Sequence, residues 1–72
     1  MKKSYNIAVE CANCAGKMEA ALNKLAGVKA ARVNFLLQRL VVEFAEGSDA
    51  QAVLAEAQRV CRRIEPDCTI EP

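Results

Sequence analysis

Cys11 and Cys14 stand three residues apart in the segment Glu10-Cys11-Ala12-Asn13-Cys14-Ala15-Gly16-Lys17. Two thiolates at that spacing can converge on one soft or borderline ion. The segment lies where an apolar alternating stretch gives way to helical periodicity. A helix start presents unpaired N–H groups and the positive end of the helix dipole, so a thiolate forms more readily there. Glu10 is a candidate third ligand. A divalent ion seeks about four donors and zinc accepts carboxylate oxygen, whereas two thiolates alone suit linear Cu(I). The chain has no histidine, which removes His-containing zinc sites and the usual base of a Cys/His nucleophile pair.

The same residues admit other readings. Cys-x-x-Cys is also the spacing of a thiol-disulfide redox pair, although Ala12-Asn13 lacks the usual proline and that fold normally needs a longer chain. Free cysteines are often simply buried as small hydrophobes. Cys61 and Cys68 read mostly as core, Cys68 sharing a strand face with Ile70. A structural zinc site made from all four cysteines competes with that, but the separations are not those of a zinc ribbon. Glu65 and Asp67 fall in a loop at the same end as the Cys11–Cys14 junction. They read as solvated charges within reach of an ion there. Lys17 reads as an exposed helix charge.

The elements that must position these residues follow from hydrophobic periodicity. Tyr5, Ile7 and Val9 alternate with polar or small residues, which predicts a strand over 3–9. Ala15, Met18, Leu22 and Leu25 recur at helical spacing, predicting a helix over 12–26 stopped by Gly27. A strand over 28–36, with Val33 and Phe35 on one face, and a strand over 39–44, with Leu40, Val42 and Phe44 on one face, flank a turn near Leu37-Gln38. Ser48 with Gln51 three residues on forms a capping-box pattern that starts a second helix. Val53, Ala57, Val60 and Ile64 line its inner face, flanked by Leu54 and Cys61, and Pro66 ends it. Cys68 and Ile70 alternate in a short last strand. The order βαββαβ predicts an α+β, ferredoxin-like open-faced sandwich: a four-stranded antiparallel sheet with both helices on one face. Met18, Leu22, Val33, Phe35, Leu40, Val42 and Val60 are the expected core.

The 72 residues make a single domain, 1–72, with a small core. A formal charge of +1, with aromatics only at Tyr5, Phe35 and Phe44, offers no electrostatic footprint for nucleic acid. Arg62-Arg63 reads as a solvated helix end. No run approaches roughly 18 apolar residues, so no segment is expected to span a membrane. Met1-Lys2-Lys3 is followed by polar residues and does not read as a signal peptide. The four cysteines are accordingly expected to be reduced thiols in a cytosol.

The chain resembles the heavy-metal-associated domain family, found as metallochaperones and at the N-termini of heavy-metal-transporting P-type ATPases. The resemblance rests on Cys11-Ala12-Asn13-Cys14-Ala15-Gly16-Lys17, Leu25-Ala26-Gly27-Val28, Val33-Asn34-Phe35 and Leu40-Val41-Val42-Glu43-Phe44, and runs from Tyr5 to Ile70. Cys61-Arg62-Arg63-Ile64-Glu65-Pro66-Asp67 looks like the zinc/cadmium/lead ATPase branch: copper members usually carry a Gly-Tyr pair in this loop, and none is present. Glu10 stands where the divalent branch often has an aspartate. The family normally has a glycine and a hydrophobe before the site; here Val9 stands in for the buried methionine and the glycine is missing.

The resemblance implies one Zn(II) or Cd(II) ion, or Pb(II), bound by Cys11, Cys14 and Glu10, with Cu(I) as the alternative. The partner it implies is a thiol-bearing metal site of a membrane transporter or chaperone. The chain would be the N-terminal cytoplasmic domain of an exporting ATPase, or alternatively a free-standing copper or mercury chaperone. These residues contain no nucleotide-binding loop and no phosphorylated-aspartate motif, so no catalysis is expected from them alone.

Overall fold

A computed structural model describes residues 1–71. It contains β1 (Lys2–Ala8), α1 (Ala12–Leu22), β2 (Val28–Asn34), β3 (Arg39–Phe44), α2 (Ala50–Ile64) and β4 (Thr69–Glu71). The strands form one antiparallel sheet in the order β2-β3-β1-β4. This is the expected βαββαβ sandwich. Alternation decides which side of each strand meets the helices. Tyr5 and Ile7 from β1 and Leu40, Val42 and Phe44 from β3 join Met18 and Leu22 of α1 and Val53, Ala57 and Cys61 of α2 in one buried cluster. Ser4 opposes Val41, and Asn6 opposes Arg39, on the other face. There the Arg39 guanidinium donates to Asn6 Oδ1 at 2.9 Å.

The register fixes which loops share an end. The end of β1 lies beside the start of β3, with Asn6 opposite Arg39, and beside the start of β4, with Ala8 opposite Thr69. The β1–α1 junction, the β2–β3 turn and the α2–β4 loop therefore cluster at one end of the sheet. The α1–β2 turn lies at the other end, where Val28 opposes Phe44.

Both edge strands are capped by helix side chains spaced one turn apart. On β2, Glu19 Oε1 accepts from Val33 N–H at 2.8 Å, while Asn23 accepts from Ala31 N–H at 2.8 Å and donates to Ala31 O at 3.0 Å. On β4, Gln58 Oε1 accepts from Ile70 N–H at 2.8 Å, and Gln58 Nε2 donates to Cys68 O at 3.0 Å. Arg62 Nε donates to the same carbonyl at 3.3 Å. An unpaired edge invites pairing with another chain; here these N–H groups already have partners, and β4 is fixed to α2.

Several boundaries differ from the sequence expectation. The first helix ends at Leu22 instead of 26, because Asn23 becomes its C-cap and spends its side chain on β2. Strand β2 stops at Asn34, whose Oδ1 accepts from Leu37 N–H at 3.1 Å and folds 35–37 into the turn. Ser48 is not the cap of α2. Its hydroxyl donates to Ala45 O, and Asp49 caps the helix by accepting from Gln51 N–H at 3.0 Å. Met18, Leu22, Leu40 and Val42 are buried as expected, whereas Val33, Phe35 and Val60 are only partly buried. The inner stripe of α2 is rotated: Cys61 lies fully inside with Val53 and Ala57, and Val60 and Ile64 flank it.

Candidate metal centre

The two motif cysteines both stand at the start of α1, one capping it and one inside its first turn. Cys11 is the N-cap of α1, in an extended conformation (φ −127°, ψ 124°), so it closes the approach from the strand. Cys14 lies in the first turn of the helix, whose seating is set by buried Ala15 and Met18. Cys11 Sγ accepts from Cys14 N–H at 3.3 Å, taking the place that a serine or aspartate oxygen fills at most helix starts. Cys11 O accepts from Ala15 N–H at 2.9 Å, the first bond of the helix ladder. Both thiols are half-buried and free of disulfides.

These contacts split the two thiols electrostatically. The Cys14 N–H lowers the Cys11 pKa most, followed by the Cys14 thiol and the Asn13 N–H; partial burial and the Glu65 carboxylate oppose them. Cys14 moves the other way. Its thiol donates to the Cys11 sulfur, and burial, the Cys11 charge and Glu65 raise it further, against a smaller opposing effect of Lys17. The pair titrates in two steps, the first proton leaving from the Cys11 side.

Cys61 and Cys68 are wholly inaccessible. Burial, with smaller contributions from Cys68, pushes the Cys61 thiol up to about 12, and burial also raises Cys68. They hydrogen-bond to each other as neutral thiols. Alkylation of the metal-free domain is therefore expected to be ordered. With iodoacetamide at rising pH, Cys11 reacts with a midpoint below the ordinary cysteine range and Cys14 with one above it. Cys61 and Cys68 react only after denaturation. Peptide mapping that finds Cys14 modified first, or the inner pair modified in the native domain, contradicts this assignment.

Glu10 is exposed. Among the described residues, no three His, Cys, Asp or Glu side chains converge where they could together hold an ion, so its carboxylate is not gathered with the two thiols. Asp67 is exposed as well. Glu65, read from the sequence as a solvated charge within reach of the site, is held against the segment before Cys11. Its carboxylate accepts from the Glu10 N–H, at 3.2 Å to Oε1 and 3.1 Å to Oε2. Pro66 contributes to this placement, because the residue before a proline avoids helical geometry; Glu65 is extended (φ −139°, ψ 106°) and caps α2. Gln38, which the sequence marked only as part of a turn, reaches the other side of the same segment. Its Oε1 accepts from Val9 N–H at 2.8 Å. Val9 itself is buried at 3% exposure, filling the core position ahead of the motif.

The sequence profile of the heavy-metal-associated domain matches residues 4–60. No curated protein matches the chain in sequence. Several solved structures share its fold. The CopZ metallochaperone has a TM-score of 0.73 at 20% identity, over 97% of this chain and 98% of that one. The N-terminal domain of a potential copper-translocating P-type ATPase from Bacillus subtilis, in its Cu(I)-loaded state, has a TM-score of 0.72 at 26% identity, over 97% and 82%. The N-terminal domain of the zinc(II) ATPase ZiaA, in its apo form, has a TM-score of 0.73 at 23% identity, over 100% of this chain and 65% of that one. No helix of the described residues is long and apolar enough to cross a membrane. The profile covers most of the sequence, and the structure sets Cys11 and Cys14 at the strand-to-helix junction of a βαββαβ sandwich; this metal-binding, non-catalytic module belongs to the heavy-metal-associated domain family.

Proposed function

We propose that the domain binds one Zn(II), Cd(II) or Pb(II) ion through Cys11 and Cys14, with the exposed Glu10 side chain turning in as third ligand once the ion is bound, and passes it to a thiol-bearing acceptor. The observation that carries this reading is the placement of both thiols on a half-exposed helix start, with Cys11 held ready to ionise. An open site suits transfer by ligand exchange. An acceptor thiolate binds the ion while one domain thiolate leaves, so donor and acceptor share the ion briefly. Metal binding displaces the thiol protons, so binding tightens as pH rises through the Cys11 and then the Cys14 titration. The setting we propose is the cytoplasmic N-terminus of a Zn(II)/Cd(II)/Pb(II)-exporting P-type ATPase, supported by the Glu10 position and by the loop Glu65-Pro66-Asp67, which has no Gly-Tyr pair.

Cu(I) carriage is the second reading, and one observation favours it: among the described residues no third His, Cys, Asp or Glu side chain is gathered with Cys11 and Cys14, and two thiolates are the donor set of a linear Cu(I) complex. Glu10 separates the two. Competitive titration of the wild type and Glu10→Ala with Zn(II) and Cu(I) is expected to show a loss of about tenfold or more for Zn(II), the size expected when a group that supports a metal site is removed, and little change for Cu(I). Equal losses for both ions, or none for either, take Glu10 out of the site and leave the copper reading in front.

A further inference from the structure

The ladder around β1 does not stop where the strand ends. On the β3 side, Ile7 N–H donates to the backbone carbonyl of Gln38 at 3.0 Å. Two residues further on, Val9 N–H donates to the side-chain oxygen of the same Gln38 at 2.8 Å. On the β4 side, Ala8 is paired with Thr69, and two residues further on Glu10 N–H donates to the carboxylate of Glu65. Side chains from the two flanking loops thus supply the next rung on each side, on the last two residues before Cys11.

Each of these side chains is itself held. Gln38 adopts a left-handed φ of 52°, an uncommon conformation for a residue with a side chain. Its Nε2 donates to Phe35 O at 2.8 Å, which fixes the amide so that Oε1 faces Val9. Glu65 is anchored by its own N–H to Cys61 O at 2.8 Å, and by its carbonyl, which accepts from Cys68 N–H at 2.9 Å.

We infer that Gln38 and Glu65 are positioning residues for the metal loop: they clamp the backbone at Val9 and Glu10 and so set the place of Cys11 relative to Cys14. This rests on the proposed Cys11–Cys14 site. Cys11 is tied to α1 by its carbonyl, which accepts from Ala15 N–H, and by its sulfur, which accepts from Cys14 N–H, and it is also where the chain arrives from β1. Cys14 moves with α1, which the core holds through Ala15 and Met18. Cys11 follows the end of β1, where Val9 is seated in the core. Slack at Val9 or Glu10 would leave only those two bonds to α1 to set the place of Cys11. With the clamp in place, the segment is ordered before the ion arrives, and binding does not have to order it.

The test uses the purified domain with Gln38→Met, which keeps the length and loses the polar tip, and Gln38→Glu, which keeps an acceptor for Val9. It reads amide exchange at Val9, Glu10 and Leu40, together with competitive titrations of Zn(II) and Cu(I). In Gln38→Met, Val9 exchange is expected to accelerate about tenfold while Leu40 is unchanged, and both ions to weaken alike by about three- to tenfold, the worth of one hydrogen bond. Gln38→Glu keeps the acceptor for Val9 but loses the donor to Phe35 O that fixes it, so it is expected to recover both readouts only in part, falling between Gln38→Met and wild type. Glu65→Ala should act on Glu10 exchange in the same way, and Glu65→Gln, which still offers an oxygen, should be mild for both ions.

Acceleration at Leu40 equal to that at Val9 would make Gln38 a residue of global stability only. Faster Val9 exchange with unchanged metal affinity would overturn the positioning role. Loss of Zn(II) but not Cu(I) in Glu65→Gln would make Glu65 a ligand, not a clamp. A wild-type domain that binds neither ion would sink the proposed function, while the exchange rates would still report whether the clamp exists.

Discussion

Cys11→Ser and Cys14→Ser are each expected to weaken Zn(II) and Cu(I) binding by more than about a hundredfold, because each removes a thiolate that soft and borderline ions prefer to a hydroxyl. Cys61→Ser and Cys68→Ser should leave affinity within about threefold, since neither sulfur is accessible. Their effect falls on stability. A hydroxyl in place of a wholly buried thiol costs roughly 1–3 kcal/mol, or a fall of about 4–20 °C in unfolding temperature for a domain of this size. The metal-free domain should stay folded in excess chelator, because its core is built from both helices and the sheet without any ion. Metal titration of the four variants with circular dichroism decides the matter. Loss of binding in all four, with unfolding on metal removal, would turn the site into a four-cysteine structural zinc centre. Reversible disulfide formation between Cys11 and Cys14 that governs activity of a partner, with no measurable metal affinity, would favour the redox alternative.

The residues that carry the site could be read from the chain because their signals are local. Cys11 and Cys14 are close in sequence and sit where a period of two changes to a period near four, so the junction that exposes them was visible. The same holds for Tyr5, Ile7, Leu40, Val42 and Phe44, whose alternation fixed the inner face of the central strands. The residues that hold the site in place were not visible. Gln38 meets Val9 across 29 positions and Glu65 meets Glu10 across 55, and neither contact leaves a periodic trace. The ends of elements failed for a related reason. Asn23 could have continued α1, and Ser48 could have capped α2, by local propensity alone. Asn23 was drawn into a side-chain bond with Ala31 on the next strand, and Ser48 turned back to Ala45 O within its own turn, which left the cap to Asp49. The misreading of the face of α2 was by one residue, Val60 for Cys61, and came from treating Cys61 as a flank, although thiols are as readily buried as valines.

Gly27→Ala is expected to be the most damaging single methyl in the chain, and to spare the metal site. Gly27 links α1 to β2 with a φ of +88°, a conformation that a side chain opposes at a cost of about 1–2 kcal/mol. Its carbonyl accepts from Ala45 N–H at 2.8 Å, so the turn cannot relax without breaking that bond. A Cβ placed there would stand 2.7 Å from Val53 Cγ2 and 3.2 Å from Ser48 Cβ, inside van der Waals contact. Val53 is buried on α2 and has little room to yield. Strain and overlap together are expected to remove about 2–4 kcal/mol, a large share of the stability of a small domain, lowering the unfolding temperature by about 10–25 °C. Thermal unfolding followed by circular dichroism measures this. The overlap component has its own signature: Val53→Ala removes the clashing methyl, so Gly27→Ala should cost about 1–2 kcal/mol less in that background than in the wild type. The φ component should remain in both. Because Gly27 lies at the end of the sheet away from Cys11 and Cys14, the folded fraction of Gly27→Ala at low temperature should bind metal as the wild type does. A loss of affinity in that fraction would mean that the two ends of the sheet are mechanically coupled.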